Sequence, residues 1–150
     1  MLAVLKGSFV FASDLSRRLC KLGKQVELDF ISASSYGANT ESSGNVEIKL
    51  VSSPDFTDKY VLVVDDIIDT GSTLSAIHDI VKNSGAADVK SCVLLDKISR
   101  REVDFKPDYI GFEVPDVFLV GYGMDGAGKF RCLPYITSLE DAKAGLHSCE

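Results

Sequence analysis

The sequence predicts an α/β protein in which helices flank a central parallel β-sheet. Short apolar segments rich in β-branched residues alternate with segments whose apolar residues recur at helical spacing. Such alternation is typical of strand–helix–strand units with parallel strands. The 150 residues are 45% hydrophobic, which suits one domain with a single buried core. We therefore expect residues 1–150 to form a single domain.

The first part of the chain predicts a strand, a helix and a second strand. Residues 1–5 are apolar and predict a short buried strand. The helix that follows is expected to have Ser8 as its N-cap and Gly23 just beyond its C-terminus. Residues 26–33 alternate in part between apolar and polar positions, which predicts the second strand. The apolar face of the helix would contain Phe11, Ala12, Leu15, Leu19 and Leu22.

A polar segment interrupts this pattern. Residues 34–45 are almost entirely polar, with Tyr36 as the main exception, so burial cannot order them and we expect a mobile loop. Residues 46–51 then resume strand character. The loop is either a long hairpin connection or a lid over an active site, and the sequence alone leaves both interpretations open.

The second part of the chain predicts a central strand at residues 61–65 and a helix at 72–83. One face of that helix would carry Leu74, Ile77, Ile80 and Val81, and Gly85 follows its end. Ligands in parallel sheets bind beyond the C-terminal ends of the strands, which is where Lys6, Asp65 and Lys97 fall. Three more strands are expected at residues 89–95, 109–112 and 117–121.

The segment between the central strand and the helix carries the strongest functional signal. Asp65, Asp66 and Asp69 are carboxylates that repel one another unless a cation or a hydroxyl-rich ligand lies among them. Residues 70–73 offer backbone N–H groups at a helix start, where anions bind. Helix capping would explain one of these acids but not all three. The segment therefore predicts a site for a phosphorylated polyol and a divalent metal.

Several classes of protein are disfavoured. The net charge of −6 argues against nucleic-acid binding. Residues 121–126 fit G-x-G-x-x-G, but residues 127–134 lack the helical pattern that a dinucleotide site requires. No stretch approaches the roughly 20 apolar residues of a membrane span, so we expect a cytoplasmic protein. The cysteines are expected to be free thiols because they lie far apart, at Cys20, Cys92, Cys132 and Cys149.

Residues 63–73 resemble the phosphoribosyl-pyrophosphate (PRPP) signature of type I phosphoribosyltransferases, and most closely that of the hypoxanthine-guanine enzymes. The resemblance covers roughly residues 2–136 and implies the type I phosphoribosyltransferase fold. That family normally carries a few dozen residues, largely helical, before its first strand, so the small hood is expected to be incomplete here. The other matching motifs are Leu5-Lys6-Gly7, Ser35-Tyr36, Leu94-Leu95-Asp96-Lys97, residues 106–125 and residues 130–136.

For PRPP, the resemblance implies that Asp65 and Asp66 meet the ribose hydroxyls, directly or through Mg²⁺. Asp69 would be the general base that takes the N7 proton of the purine. The pyrophosphate would be bound by Lys6 and Gly7, at a peptide that is strained or cis in the family, and by Arg131. The 5-phosphate would be held by Thr70, Gly71, Ser72 and Thr73.

For the purine, the resemblance implies that Lys97 donates to the 6-oxo group, Phe118 stacks on the base and backbone near Leu119 reads the N1/N2 edge. Asp125 would contribute to purine binding and hold a Mg²⁺ ion shared with pyrophosphate. Ser35 and Tyr36 would belong to a flexible lid. Without the resemblance, Lys97 would be interpreted as a solvated strand-end lysine and Phe118 as a core residue.

The implied activity is magnesium-dependent purine salvage by a cytoplasmic homo-oligomer, a dimer or a tetramer. The phosphoribosyl group of PRPP would pass to N9 of hypoxanthine or guanine, giving IMP or GMP and pyrophosphate. Preference among hypoxanthine, guanine and xanthine stays open. The alternative is a non-catalytic PRPP-binding regulator, which would not need the lid, Lys97 or Phe118. Lys97 and residues 118–125 disfavour adenine, orotate and uracil as substrates.

Overall fold

The computed structural model describes residues 1–35, 46–50 and 54–146. Within these residues, a six-stranded sheet has the order β3-β2-β1-β4-β5-β6. All neighbouring strands are parallel except the edge strand β3, which is antiparallel to β2. The predicted parallel α/β class is confirmed. The strands are β1 (Leu2–Leu5), β2 (Asp29–Ser35), β3 (Val46–Leu50), β4 (Tyr60–Ile68), β5 (Asp88–Asp96) and β6 (Tyr109–Glu113).

Helices and a small second sheet complete the described part of the chain. The small sheet pairs β7 (Leu119–Val120) with β8 (Thr137–Ser138) in antiparallel register. A short 3₁₀ turn spans Ile98–Arg100. None of the described helices is long and apolar enough to cross a membrane. The helices are α1 (Phe9–Lys21), α2 (Ser72–Asn83) and α3 (Leu139–Leu146).

Helices cover both faces of the sheet. Val63 of β4 packs in the cluster that contains Ile77 of α2, whereas the next residue, Val64, packs with Ala12 of α1. Successive residues of a strand point to opposite faces, so β4 is buried from both sides. The continuous apolar run of this strand follows from that double burial.

Two predicted strand boundaries are wrong. The second strand begins at Asp29 and not at residue 26, because its ladder with β1 starts at the Leu2–Asp29 pair. The central strand extends beyond residue 65 to Ile68, because pairing with β5 continues through Ile68 and Asp96. Its two adjacent carboxylates therefore lie within the strand and do not follow its end.

The predicted strand at residues 117–121 is also wrong as a member of the main sheet. Pairing with β5 ends near Glu113, where Val114 N donates to Asp96 O at 2.9 Å. Pro115 has no N–H group to continue a ladder. The chain leaves the sheet there, and only Leu119–Val120 become a strand, paired with β8.

The two ends of α1 behave differently from one another. Ser8 precedes the helix but does not cap it, because its buried hydroxyl donates to Val4 O of β1 at 2.5 Å. Gly23 ends the helix as predicted, with φ +75°, and Gly23 N donates to Cys20 O at 2.9 Å. Lys24 N donates to Leu19 O at 3.0 Å, which completes a Schellman motif.

The polar loop and the cysteines are described only in part. Residues 34 and 35 belong to β2 and pair with β3, so the predicted loop start at residue 34 is wrong. Residues 36–45 lie outside the described residues, and so does Cys149. Cys20, Cys92 and Cys132 are free thiols, and burial raises the pKa of Cys92.

The buried face of α2 gives a test of the packing. Ile77 is fully buried, but Ile80, predicted on the same face, is 37% exposed. Ile77→Ala should lower the free energy of unfolding by about 2–5 kcal/mol because it leaves a cavity in the core. The matched Ile80→Ala change should cost roughly 1 kcal/mol or less. Urea unfolding of both variants measures the difference, and equal losses would contradict the observed packing.

Candidate active site

Two adjoining pockets open at the C-terminal ends of the central strands. The outer pocket has a volume of about 340 Å³ and the inner pocket about 210 Å³. Gly7, Asp66 and Asp69 line both, so the two pockets are neighbours. Larger cavities of about 420 and 460 Å³ elsewhere contain none of the predicted site residues. The predicted residues that line only the outer pocket are Lys6, Lys97, Phe118, Leu119, Asp125 and Arg131.

The inner pocket contains the first two carboxylates of the acidic segment. Asp65 is buried, and its Oδ1 accepts a hydrogen bond from Asp66 N at 2.9 Å. Burial raises the pKa of Asp65 well above the usual carboxyl range, and the neighbouring charge of Asp66 adds to the effect. A buried negative charge is disfavoured unless a cation or hydrogen-bond donors compensate it. This end of the site is therefore suited to a cationic or hydroxyl-bearing ligand.

The turn between β4 and α2 forms the other wall of the inner pocket. Gly71 has φ +89°, a conformation that favours glycine. Thr70 Oγ1 accepts from Ser72 N at 3.3 Å, while Thr73 also lines the pocket. The first N–H groups of a helix lack intrahelical acceptors, so residues 70–73 suit a bound anion.

Two glycines allow the Asp66 carboxylate, the Gly7 turn and the backbone at Gly123 to come into close contact. A Cβ atom on Gly7 would lie 2.0 Å from Asp66 Oδ2, and one on Gly123 would lie 2.1 Å from Gly7 O. Neither contact is possible for a real side chain without movement of a neighbour. The Leu5–Lys6 peptide bond leading into this turn is cis, in agreement with the family resemblance.

Lys97 and Phe118 line the outer pocket, and they are neither a solvated lysine nor a core phenylalanine. Lys97 is only 7% exposed, so it is not a solvated surface lysine. Its N–H donates to Ile68 O at 3.0 Å, and its Nζ lies 3.8 Å from Asp116 Oδ1. Phe118 is 59% exposed and is therefore not a core residue. A buried ammonium faces the same pocket as an exposed aromatic ring.

Asp69 stands between the pockets with an arginine partner. Arg100 Nε donates to Asp69 Oδ1 at 2.9 Å, and Arg100 Nη1 lies 3.7 Å from Asp116 Oδ2. The hydrogen bond to Asp69, together with the charge of that carboxylate, raises the pKa of Arg100. Asp69 is thus held by a cation while it lines both pockets.

Asp125 and Arg131 form a second pair at the outer pocket. Arg131 Nη2 lies 2.5 Å from Asp125 Oδ1, and Arg131 Nη1 donates to Gly123 O at 2.7 Å. Gly128 N donates to Asp125 Oδ2 at 2.7 Å. Both side chains are therefore fixed in place by the loop that carries them.

The predicted lid residues are only partly described. Ser35 is the last residue of β2 and pairs with Val46 of β3. Tyr36 lies outside the described residues. The two strands that flank residues 36–45 are antiparallel neighbours, as expected of the hairpin interpretation.

Comparisons with known proteins agree with this arrangement. Residues 1–126 match the model of the phosphoribosyl transferase domain family. The chain is 45% identical over 141 residues to the hypoxanthine-guanine phosphoribosyltransferase of Aquifex aeolicus (strain VF5), covering 94% of the chain and 78% of that relative. The corresponding Bacillus subtilis (strain 168) protein is 43% identical, covering 94% of the chain and 77% of that relative. The chain belongs to the phosphoribosyltransferase family.

Solved structures of phosphoribosyltransferases have the same fold. A hypoxanthine-guanine phosphoribosyltransferase from Bacillus anthracis superposes with a TM-score of 0.84 at 49% identity, covering 92% of this chain and 79% of that one. The Trypanosoma cruzi hypoxanthine phosphoribosyltransferase in complex with the product IMP gives 0.84 at 39%, covering 92% and 73%. The predicted family and fold are confirmed.

Sequence reasoning missed three side chains of this phosphoribosyltransferase site. Arg100 and Asp116 form the ion pairs described above, and Arg101 donates to the buried carboxylate of Asp96. A Cβ atom on Gly71 would lie 3.0 Å from Arg101 Cδ, so Arg101 packs behind the anion turn. The sequence does contain one indication of the two arginines, since they follow shortly after Lys97, beyond the C-terminal end of a strand, where ligands bind in parallel sheets.

The raised pKa of Asp65 predicts a pH-dependent stability in the ligand-free protein. A carboxyl whose pKa is higher in the folded than in the unfolded state binds its proton more tightly when the protein is folded. The free energy of unfolding therefore falls as the pH rises from the unfolded-state pKa to the folded-state pKa. Asp65→Asn should therefore be more stable than the wild type at pH 7, and the difference should narrow towards pH 4. Urea midpoints at each pH measure this. Asp79→Asn, at an exposed position of α2, is the control, and a less stable Asp65→Asn protein at pH 7 would contradict the argument.

Proposed function

We propose that the protein is a cytoplasmic purine-salvage phosphoribosyltransferase. It transfers the phosphoribosyl group of PRPP to N9 of hypoxanthine or guanine and releases pyrophosphate. The observation that carries this proposal is the buried ammonium of Lys97 in the same pocket as Asp69 and the exposed ring of Phe118. A donor, an acceptor and an apolar face together match a 6-oxopurine, and the adjoining pocket matches a ribose phosphate.

PRPP binds across the inner pocket. Asp65 and Asp66 accept hydrogen bonds from the ribose 2- and 3-hydroxyls, directly or through a metal. The 5-phosphate binds at the start of α2, where Thr70, Gly71 and Thr73 line the inner pocket and offer backbone N–H groups and hydroxyls. The left-handed conformation of Gly71 supports this placement.

Magnesium is the metal that fits the available donors. Phosphoribosyltransferases use a metal ion, and carboxylate oxygens are ligands that Mg²⁺ prefers. The described residues contain no cluster of three protein ligands that could hold a metal alone. Asp65 and Asp66 in the inner pocket, and Asp125 at the outer pocket, would therefore each need oxygens of PRPP or pyrophosphate to complete the coordination of a Mg²⁺ ion, as Mg²⁺ sites commonly do. When bound, Mg²⁺ supplies positive charge that stabilises the departing pyrophosphate.

The purine binds in the outer pocket. Lys97 Nζ donates to the 6-oxo group, and its burial strengthens that bond relative to one in water. Phe118 stacks on the ring, and the backbone near Leu119 reads the N1/N2 edge. An adenine amino group would offer a donor where Lys97 requires an acceptor, so 6-oxopurines are selected.

Asp69 removes the purine proton during transfer. The bond between C1 of ribose and the pyrophosphate oxygen breaks, and its electron pair leaves with pyrophosphate. The ribose becomes oxocarbenium-like, and the N9 lone pair forms the new bond to C1. The N7 proton passes to the Asp69 carboxylate, which prevents positive charge from remaining on the base.

Pyrophosphate is held in the outer pocket, which adjoins the inner pocket that takes the 5-phosphate. The backbone N–H groups of Lys6 and Gly7 and the guanidinium of Arg131 line the outer pocket and donate to it. The existing contacts of Arg131 with Asp125 and Gly123 O pre-orient the guanidinium. Residues 1–150 act as one catalytic domain, which we further propose assembles into a dimer or a tetramer.

The direct test is turnover. Purified protein is mixed with PRPP, Mg²⁺ and one purine at a time, and nucleotide formation is followed by absorbance. Hypoxanthine or guanine should be converted and adenine should not, because Lys97 requires a 6-oxo acceptor. Conversion of adenine alone would contradict the assignment of Lys97. PRPP binding without turnover of any base would instead identify a non-catalytic regulator.

The role of Asp69 gives a second prediction. Asp69→Asn should lower kcat by about 10²-fold, since the amide cannot take the N7 proton. The dissociation constant for PRPP should change little, because Asp65, Asp66 and residues 70–73 are untouched. Rapid-quench kinetics and calorimetric PRPP titration separate the two effects, with Asp79→Asn on the exposed side of α2 as control. Near-normal turnover in Asp69→Asn would show that another group is the base.

A further inference from the structure

We infer that Arg100 is a positioning residue that holds the carboxylate of Asp69 in place and fixes its spacing from Lys97. The inference rests on the proposed function, since it assigns Arg100 a role in orienting the proposed base. Arg100 does not line either pocket and is 48% exposed at its side chain, so it acts through Asp69 and not on the purine itself.

Four alternating charges link Lys97 and Asp69, two residues that line the outer pocket. Lys97 Nζ lies 3.8 Å from Asp116 Oδ1, and Asp116 Oδ2 lies 3.7 Å from Arg100 Nη1. Arg100 Nε then donates to Asp69 Oδ1 at 2.9 Å. The chain begins at the proposed 6-oxo donor and ends at the proposed N7 acceptor. Its middle members, Asp116 and Arg100, therefore connect the two groups that are proposed to bind the 6-oxo group and N7, which lie on the same edge of the purine.

Asp69 needs such a partner because little else restrains it. Its side chain is 42% exposed, and it lies in the link between the end of β4 and the turn that begins α2. An exposed carboxylate in a link of this kind can rotate among rotamers. The bond from Arg100 engages Oδ1, and Oδ2 is left out of that bond to accept the N7 proton. One oxygen is thus anchored while the other serves the reaction.

The backbones that carry the two side chains are tied together. Lys97 N donates to Ile68 O at 3.0 Å, and Glu102 N donates to Thr70 O at 3.0 Å. These bonds enclose Asp69 on one segment and Arg100 on the other. Arg100 N also donates to Lys97 O at 3.0 Å within the 3₁₀ turn. These backbone hydrogen bonds therefore already hold the segments of Asp69 and Arg100 next to each other, and the side-chain bond fixes the position of the Asp69 carboxylate.

The ion pair is too exposed to act chiefly as a source of stability. Ion pairs between exposed groups usually contribute little to the free energy of folding. Loss of the Arg100 bond would instead change the position of the Asp69 carboxylate. Small displacements of a catalytic group can lower the rate greatly while leaving the fold intact. The effect of Arg100 should therefore appear in kcat and not in the melting temperature.

The test compares three variants with the wild type. Arg100→Met keeps much of the side-chain length but removes the charge and the Nε donor, and it should lower kcat for hypoxanthine about tenfold. The KM for PRPP should stay within about twofold and the melting temperature within about 3 °C. Arg100→Lys should recover to within about threefold of wild-type kcat, because it restores the charge without the planar geometry. Arg17→Met is the matched control, since Arg17 also pairs with an aspartate, Asp14, on the exposed face of α1.

Three outcomes would overturn the inference. Wild-type kcat in Arg100→Met would show that Asp69 needs no anchor, and an equal loss in Arg17→Met would show a general effect of charge. A lower KM for hypoxanthine in Arg100→Met with undiminished kcat would show that Arg100 obstructs the site. The wild type is assayed first with PRPP and each purine. An inactive wild type would contradict the proposed function itself. An active wild type with an equally active Arg100→Met variant would contradict only the role of Arg100.

Discussion

The close approach of the Asp66 carboxylate and of the Gly123 backbone to Gly7 is the constraint on which the site depends. The Asp66 carboxylate occupies the space of a Gly7 side chain, and Gly7 O occupies that of a Gly123 side chain. The turn after β1 therefore lies directly against both the Asp66 carboxylate of β4 and the backbone of the loop after β7. Each segment brings its own groups to one place, namely Lys6 from the first, the acids from the second and Asp125 with Arg131 from the third.

The inner pocket retains an electrostatically unfavourable pair of neighbouring acids. Asp65 is buried beside Asp66, and its pKa is raised as a result. Apolar residues at these positions would pack more stably in the ligand-free protein. The acids are useful only if a ligand brings compensating charge or hydroxyl groups into the inner pocket. Stability in the free state is thus lowered in favour of binding, which is common at functional sites.

The sequence predicted what depends on local pattern, and tertiary contacts decided the rest. The helix at residues 72–83 was predicted at its observed ends, because apolar periodicity and Gly85 are local signals. The start of β2 depends on where its partner strand begins, and the role of Ser8 depends on a carbonyl in β1. Neither can be derived from a single segment. Likewise, the resemblance named Lys97 and Phe118, but nothing local to Arg100 indicated a bond to Asp69, 31 positions earlier in the chain.

The distribution of charge along the site separates its two ends. Around the outer pocket, acidic and basic side chains already neutralise one another, as Lys97 does with Asp116 and Arg100 with Asp69. In the inner pocket, Asp65 and Asp66 form no ion pair with any residue in the described part of the chain. A neutral purine suits the first environment, since its binding leaves no net charge to be desolvated. A polyanionic ligand beside two carboxylates would require a cation in between, which is the role that the proposed metal ion would have in the inner pocket.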